Sequence, residues 1–93
     1  MILPFQETKL EGNTYLRKFN QETESGEFTW HRDREDRIVE SINQTDWLVQ
    51  IDNQLPQALN KPVFIPKGIY HRVIKGTGDL EIKVQKLIYN TRV

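Results

Sequence analysis

The sequence predicts a small all-β fold, on three observations. Apolar and β-branched residues recur with a period of two, as in residues 80–88, where Leu80, Ile82 and Val84 alternate with Glu81, Lys83 and Gln85. Clusters of Gly, Pro, Asn and Asp separate such runs at the roughly 8 to 12 residue spacing of β-sandwiches and barrels. No window carries the i, i+3, i+4, i+7 apolar pattern of an amphipathic helix, apart from one short turn near residues 57–59. About seven short strands in a sandwich or small barrel follow, because closure is how a small β chain avoids long open edges.

Taken in order, an extended piece at 14–19 precedes the polar stretch NQETESG at 20–26, which reads as a mobile loop tip. A second extended piece is expected at 27–33. The runs RIVESI (37–42) and WLVQID (47–52) flank the turn formers Asn43, Gln44, Thr45 and Asp46 and read together as a hairpin. A longer connection runs to Asn60, and the strand PVFIP (62–66) is bracketed by prolines, which confine it to an edge or to strand ends. The strand at 69–74 and the strand at 80–88 flank the glycine-bearing turn at 75–79, a second expected hairpin.

With 93 residues the chain reads as one domain, residues 1–93, with room for one core and one site. It has no cysteine, so neither a disulfide nor a thiolate metal site can supplement the core. Any metal must be held by His, carboxylate, amide or water. Thirteen basic and thirteen acidic residues cancel, which leaves no global field to attract nucleic acid or an anionic membrane. No segment approaches the ~20 apolar residues of a membrane span, and the opening MILPFQETKL has neither a basic region nor a long apolar region of a secretion signal. A cytoplasmic protein is expected.

The chemistry concentrates in WHRDREDR, residues 30–37. On a strand, residues two apart share a face, so His31 and Asp33 point the same way and can grip one ion. The only other histidine, His71, shares its face with Ile69 and Val73 and should point inward. Two imidazoles and one carboxylate form a set that leaves positions open on a six-coordinate divalent ion. The bland alternative is hydrogen bonding without metal.

Residues 60–71 resemble the second cupin motif, G-x5-P-x-G-x2-H, with Pro66, Gly68 and His71 matching and Asn60 in place of the first Gly. The first cupin motif, G-x5-H-x-H-x3-4-E-x6-G, laid over the chain puts His31 and Asp33 at the two His positions. Arg37 then stands at the Glu, Gln44 at the final Gly, and Gly26 one residue past the first Gly. The resemblance implies a single-domain cupin-type double-stranded β-helix, a jelly-roll barrel whose pocket is lined by His31, Asp33, Arg37 and His71. It further implies a divalent metal (Fe, Mn, Ni or Zn) on His31, Asp33 and His71, a small-molecule ligand, and pairing of two copies through β-strands. The order H-x-D…H is also similar to that of iron and 2-oxoglutarate oxygenases, but Glu81 stands where their cosubstrate-binding Arg is expected.

Arg37 departs from the pattern. Arginine has no lone pair to donate and cannot replace the ligating Glu. Its charge ~5 Å from a divalent ion costs roughly 7 kcal/mol at an effective dielectric of ~20, so a metal needs Glu35 or Asp36 close by in addition to Asp33. Two readings stand: Arg37 is a structural partner of Asp33 in a metal-free module, or it receives an anionic ligand beside the metal. A shift of one residue makes Asp36 the fourth ligand instead. Gln50 and Tyr70 are further candidate ligand-binding residues, Gln50 by its place on the strand at 47–52 and Tyr70 as part of an aromatic wall. Trp30, Trp47, Phe28 and Phe64 share the choice between such a wall and the core, with the core the ordinary fate of aromatics. Lys67, Arg72 and Lys75 form a basic rim near His71.

Overall fold

The alternating runs form two antiparallel sheets in the computed structural model, which describes residues 5–22 and 26–88. The strands are β1 (Gln6–Glu11), β2 (Thr14–Phe19), β3 (Asp36–Ser41), β4 (Leu48–Ile51), β5 (Gln57–Ala58), β6 (Val63–Ile65), β7 (His71–Ile74) and β8 (Leu80–Leu87). One sheet has the order β1-β2-β8-β3-β6 and the other β5-β4-β7. The only helical element among the described residues is a 3-10 turn at Gly26–Phe28.

Alternation decides which face each strand buries. On β8, Leu80, Ile82 and Val84 are buried; on β6, Val63 and Ile65 are buried while Phe64 between them is half exposed. From the other sheet β4 contributes Val49 and Ile51. Between the sheets Trp47, Phe19, Leu59 and Leu80 are almost fully enclosed, and each such side chain stabilises the fold by about 1.5–3 kcal/mol. Register carries the same pattern across strands, with Phe19 opposite Leu80 and Val39 opposite both Val84 and Val63. The inner face of β2 is not wholly apolar: two residues before Phe19 it buries Arg17.

The connectivity differs from the expected hairpins. β3 pairs with β8 and β6, whereas β4 pairs with β5 and β7, so residues 42–47 cross from one sheet to the other. The reason is Trp47, which is fully buried and drags the end of this connection between the sheets. Its indole Nε1–H donates to the Gly78 carbonyl at 3.1 Å. Likewise β7 pairs with β4 and β8 with β2 and β3, and the turn between them crosses the same end of the barrel. Apolar faces of consecutive strands meet across the sandwich here, not edge to edge.

Three local expectations also change. The strand expected at 27–33 is instead the 3-10 turn followed by a single β-bridge, because Thr29 N–H and Oγ1 both bond the Gly26 carbonyl and only His31 is left to pair. Residues 57–58 are a strand on β4, not a helical turn. β1 gave no sequence signal because all six of its residues are exposed. Of the loop tip at 20–26, residues 23–25 lie outside the described residues, as does the chain end at 89–93. No helix among the described residues is long and apolar enough to cross a membrane.

Candidate metal centre

The turn Pro66-Lys67-Gly68 forms as its residue types require. Gly68 has φ 74°, a conformation that favours glycine, and its N–H donates to the Asp33 carbonyl at 2.9 Å. Lys67 N–H donates to Asp36 Oδ1 at 2.8 Å. The turn that aims His71 is thereby tied to the backbone that carries Asp33. His31 meets His71 directly, through reciprocal backbone bonds of 3.0 and 2.8 Å, which place the two imidazole centroids 4.3 Å apart. A one-residue slip in either segment would separate them.

His31, Asp33 and His71 present three ligand atoms within 4.8 Å of one another. His71 is nearly fully buried at 4% exposure, while His31 and Asp33 are partly covered. Both rings are oriented alike. His31 Nδ1 faces the Thr29 carbonyl at 2.8 Å, and His71 Nδ1 faces the Ile69 carbonyl at 3.1 Å. A ring whose Nδ1–H is held by a carbonyl offers its Nε2 lone pair, which is how metal-ligating histidines are set.

Charged neighbours surround this trio. His71 Nε2 lies 3.1 Å from Asp33 Oδ2, and His31 Nε2 lies 2.6 Å from Glu27 Oε2. Yet His31 Nε2 and Asp33 Oδ2 are buried without a well-directed hydrogen bond, so proximity is present and alignment is not. Burial favours the neutral His31 ring, but the Glu27 carboxylate and the Thr29 carbonyl outweigh it and raise its pKa. Burial likewise works against the charged Asp33, but His71 and the Arg37 guanidinium hold its carboxyl below the ordinary value. Glu27 is also lowered, because His31 and Arg17 outweigh its burial.

Arg37 turns its guanidinium to Glu35, with Nε and Nη2 at 2.8 and 2.7 Å from one carboxylate oxygen, and reaches Asp33 at 3.4 Å. Its charge is therefore met twice by the chain itself. Asp36 is occupied as the acceptor for Lys67 N–H. Gln50 sits outside the trio, accepting from Arg72 Nε and Nη2 at 3.1 and 2.9 Å and donating to the Gln54 carbonyl. Tyr70 is 44% exposed with Arg32 over its ring, and Trp30 is equally exposed with Arg72 over its ring. The core reading thus fails for Trp30, Tyr70 and Phe64 and holds for Trp47; these strand-end and edge positions face solvent.

Among the described residues the barrel interior holds a small cavity and not a pocket of ligand size. The interior cavity measures about 30 Å³, lined by Arg17, Glu27, Arg37 and His71 at one end and by side chains such as Val39, Ile65 and Val84 elsewhere. That holds a water or two, whereas small-molecule pockets span roughly 300–1,000 Å³. Aliphatic side chains fill the space.

Sequence reasoning missed Arg17 and Glu27. Arg17 bonds Glu7 at 2.7 Å and Glu27 at 3.3 Å, beneath the ring of Phe5. A signal existed for both: Arg17 has the parity of the core residue Phe19, and Glu27 has the parity of His31 and Asp33.

No sequence-family description matches the chain, and no curated relative is recognisably similar to it. Solved structures are similar in fold. A cupin domain from Bordetella pertussis Tohama I superposes with a TM-score of 0.59 at 16% identity, covering 95% of this chain and 99% of that one. A cupin-2 domain containing protein from Shewanella frigidimarina gives 0.62 at 15% identity, over 89% and 79% of the two chains. A structure of DMSP lyases gives 0.63 at 13% identity, over 78% of this chain, which spans only 36% of the lyase's length. The fold is the all-β jelly roll of cupin domains.

Proposed function

We propose that this cupin-fold chain binds one divalent metal ion through His31, Asp33 and His71. The observation that carries the reading is the common orientation of the two imidazoles: each Nδ1 faces a backbone carbonyl, and each Nε2 faces a carboxylate-bearing cluster in which two buried polar atoms lack well-directed partners. Three donors of this kind suit Fe(II), Mn(II), Ni(II) or Zn(II) and leave positions for water or a small ligand. Bound there, the ion would supply Lewis acidity at the barrel mouth, beside an interior cavity of about 30 Å³.

Arg37 supports a structural and electrostatic role. Its donors are engaged by Glu35, which offsets the charge that would otherwise oppose a cation near Asp33. A small anionic molecule would have to displace Glu35 to reach it. The rival reading, a metal-free module for ligand or protein binding, draws on the contacts of Asp33 with both Arg37 and His71. Any small-molecule ligand, and any second copy paired through a β-strand, belongs to the same reading as a partner of the exposed mouth and edges.

Elemental analysis of protein purified without chelator, followed by titration with Zn(II) and Mn(II), separates the two. The metal reading expects one equivalent bound and a thermal midpoint that rises with metal, by an amount equivalent to about 2.7 kcal/mol at a hundredfold excess over Kd. Both effects should disappear in His71→Ala. Substoichiometric content of every transition metal with no uptake on titration would leave the metal-free module.

A further inference from the structure

We propose that Glu27 is the fourth protein ligand of this metal centre, supplying from outside the motif the carboxylate that Arg37 cannot supply from within it. The proposal rests on the metal-centre reading above.

Its first support is position. Glu27 Oε2 stands 2.6 Å from His31 Nε2, the ring nitrogen not held by the Thr29 carbonyl, so Glu27 lies beside the three donors that sit within 4.8 Å of one another, and its side chain is mostly covered and lines the interior cavity with His71. A second support is orientation. The other carboxylate oxygen, Oε1, is held by Arg17 Nη1 at 3.3 Å, and Arg17 is itself buried and anchored through Nε to Glu7 at 2.7 Å. The turn that carries Glu27 is anchored too, since the adjacent Phe28 packs against Phe19 and Trp47 with ring centroids 6.1 and 5.8 Å apart.

Charge supplies a third, independent argument. Arg17 is matched by Glu7 and Arg37 by Glu35. Each guanidinium is shared, Arg17 also reaching Glu27 at 3.3 Å and Arg37 also reaching Asp33 at 3.4 Å, so these carboxylates outnumber their cations by two, and Glu27 and Asp33 are the pair beside the two imidazoles. Two carboxylates and two neutral imidazoles carry a charge of about −2, which one divalent ion neutralises. With Asp33 alone, one positive charge would stay uncompensated in a partly buried site. Glu27 now adjoins the trio through His31, and an ion taken up at His31 Nε2 would receive Oε2 in place of that direct contact.

Cobalt(II) added to the metal-depleted full chain provides the test, read by its visible absorption bands, whose shape and intensity follow the ligand set. Wild type should take up one equivalent. Glu27→Gln should weaken uptake at least tenfold and change the band envelope, while Glu35→Gln should leave the envelope as in wild type. Because a folding defect in Glu27→Gln would blur this, a second measurement uses wild type labelled with ¹³C at the glutamate carboxyls. Zinc addition should displace one glutamate carboxyl signal, and that displacement should persist in Glu35→Gln. Unchanged cobalt affinity and bands in Glu27→Gln, or no glutamate signal moved by zinc, would overturn the proposal while leaving His31, Asp33 and His71 as ligands. No cobalt uptake by wild type would overturn both.

Discussion

The region around Trp47 and the region around His31 are both places where a polar connection enters the barrel, and they are built on opposite principles. At Trp47 a string of turn formers ends in one large apolar side chain that is fully enclosed, with its single polar atom satisfied by Gly78. At His31 a string of charges is partly enclosed with two imidazoles, two carboxylates to each arginine: Glu7 and Glu27 on Arg17, Asp33 and Glu35 on Arg37. Desolvation makes each such ion pair close to neutral for stability, whereas apolar burial is favourable throughout. The Trp47 end should therefore hold the fold together, and the His31 end is where the proposed metal would bind.

The largest effect expected from this contrast is at Trp47. Trp47→Ala should destabilise the fold by about 3–5 kcal/mol, the usual cost of removing a large buried aromatic, as measured by denaturant unfolding. A loss below ~1 kcal/mol would mean that the apolar end is not the source of stability.

Next is Arg37→Gln, which leaves Asp33 and Glu35 without their guanidinium. An expected loss of about 1.5–3 kcal/mol, the range for hydrogen bonds to charged groups, should be the same with and without small carboxylates in the buffer. Stabilisation of wild type by a carboxylate, absent in the variant, would instead give Arg37 the anion-binding role.

Gly76→Ala probes how tightly the Trp47 end is packed. A Cβ there would lie 2.7 Å from the Trp47 backbone nitrogen and 2.8 Å from its Cδ1, contacts that a flexible side chain cannot relieve. Overpacking of this kind costs about 1–3 kcal/mol, and thermal unfolding should show it. An unshifted midpoint would indicate slack in this crossing.

The smallest effect is a pH dependence at the same end. The Thr77 N–H donates to Asp46 Oδ1 at 2.7 Å and holds the Asp46 carboxyl below its ordinary pKa. A carboxylate lowered on folding contributes stability above its unfolded pKa of about 3.9 and loses it as pH falls through the lower folded value. The midpoint difference between wild type and Asp46→Asn should be constant near neutral pH and shrink as pH falls below about 4. A difference independent of pH throughout that range would assign the effect to something other than the charge.

Much of this was legible in the chain. Alternation on β8 and β6 fixes which residues are buried, because a strand can turn only every second side chain to one face. The Pro66-x-Gly68 turn and the inward His71 follow from local backbone preference. His31 and Asp33 were found as a pair by parity, although the strand that parity assumed is a turn and a single bridge. Local chemistry also fixes that Arg37 cannot ligate a cation.

Pairing and enclosure were decided only in three dimensions. Whether residues 37–42 and 47–52 meet edge to edge or across the core depends on where Trp47 finds cover, and a turn sequence carries no information about that. The same holds for Trp30 and Tyr70, aromatic by composition yet left outside with arginines over their rings. Arg17 and Glu27 enter the site from segments 10 residues apart and join His31 because the sheets close around them. Period and propensity act along the chain, while charge pairing acts through space, so the candidate donors His31, Asp33 and His71 could be read from the sequence and their ionic partners could not.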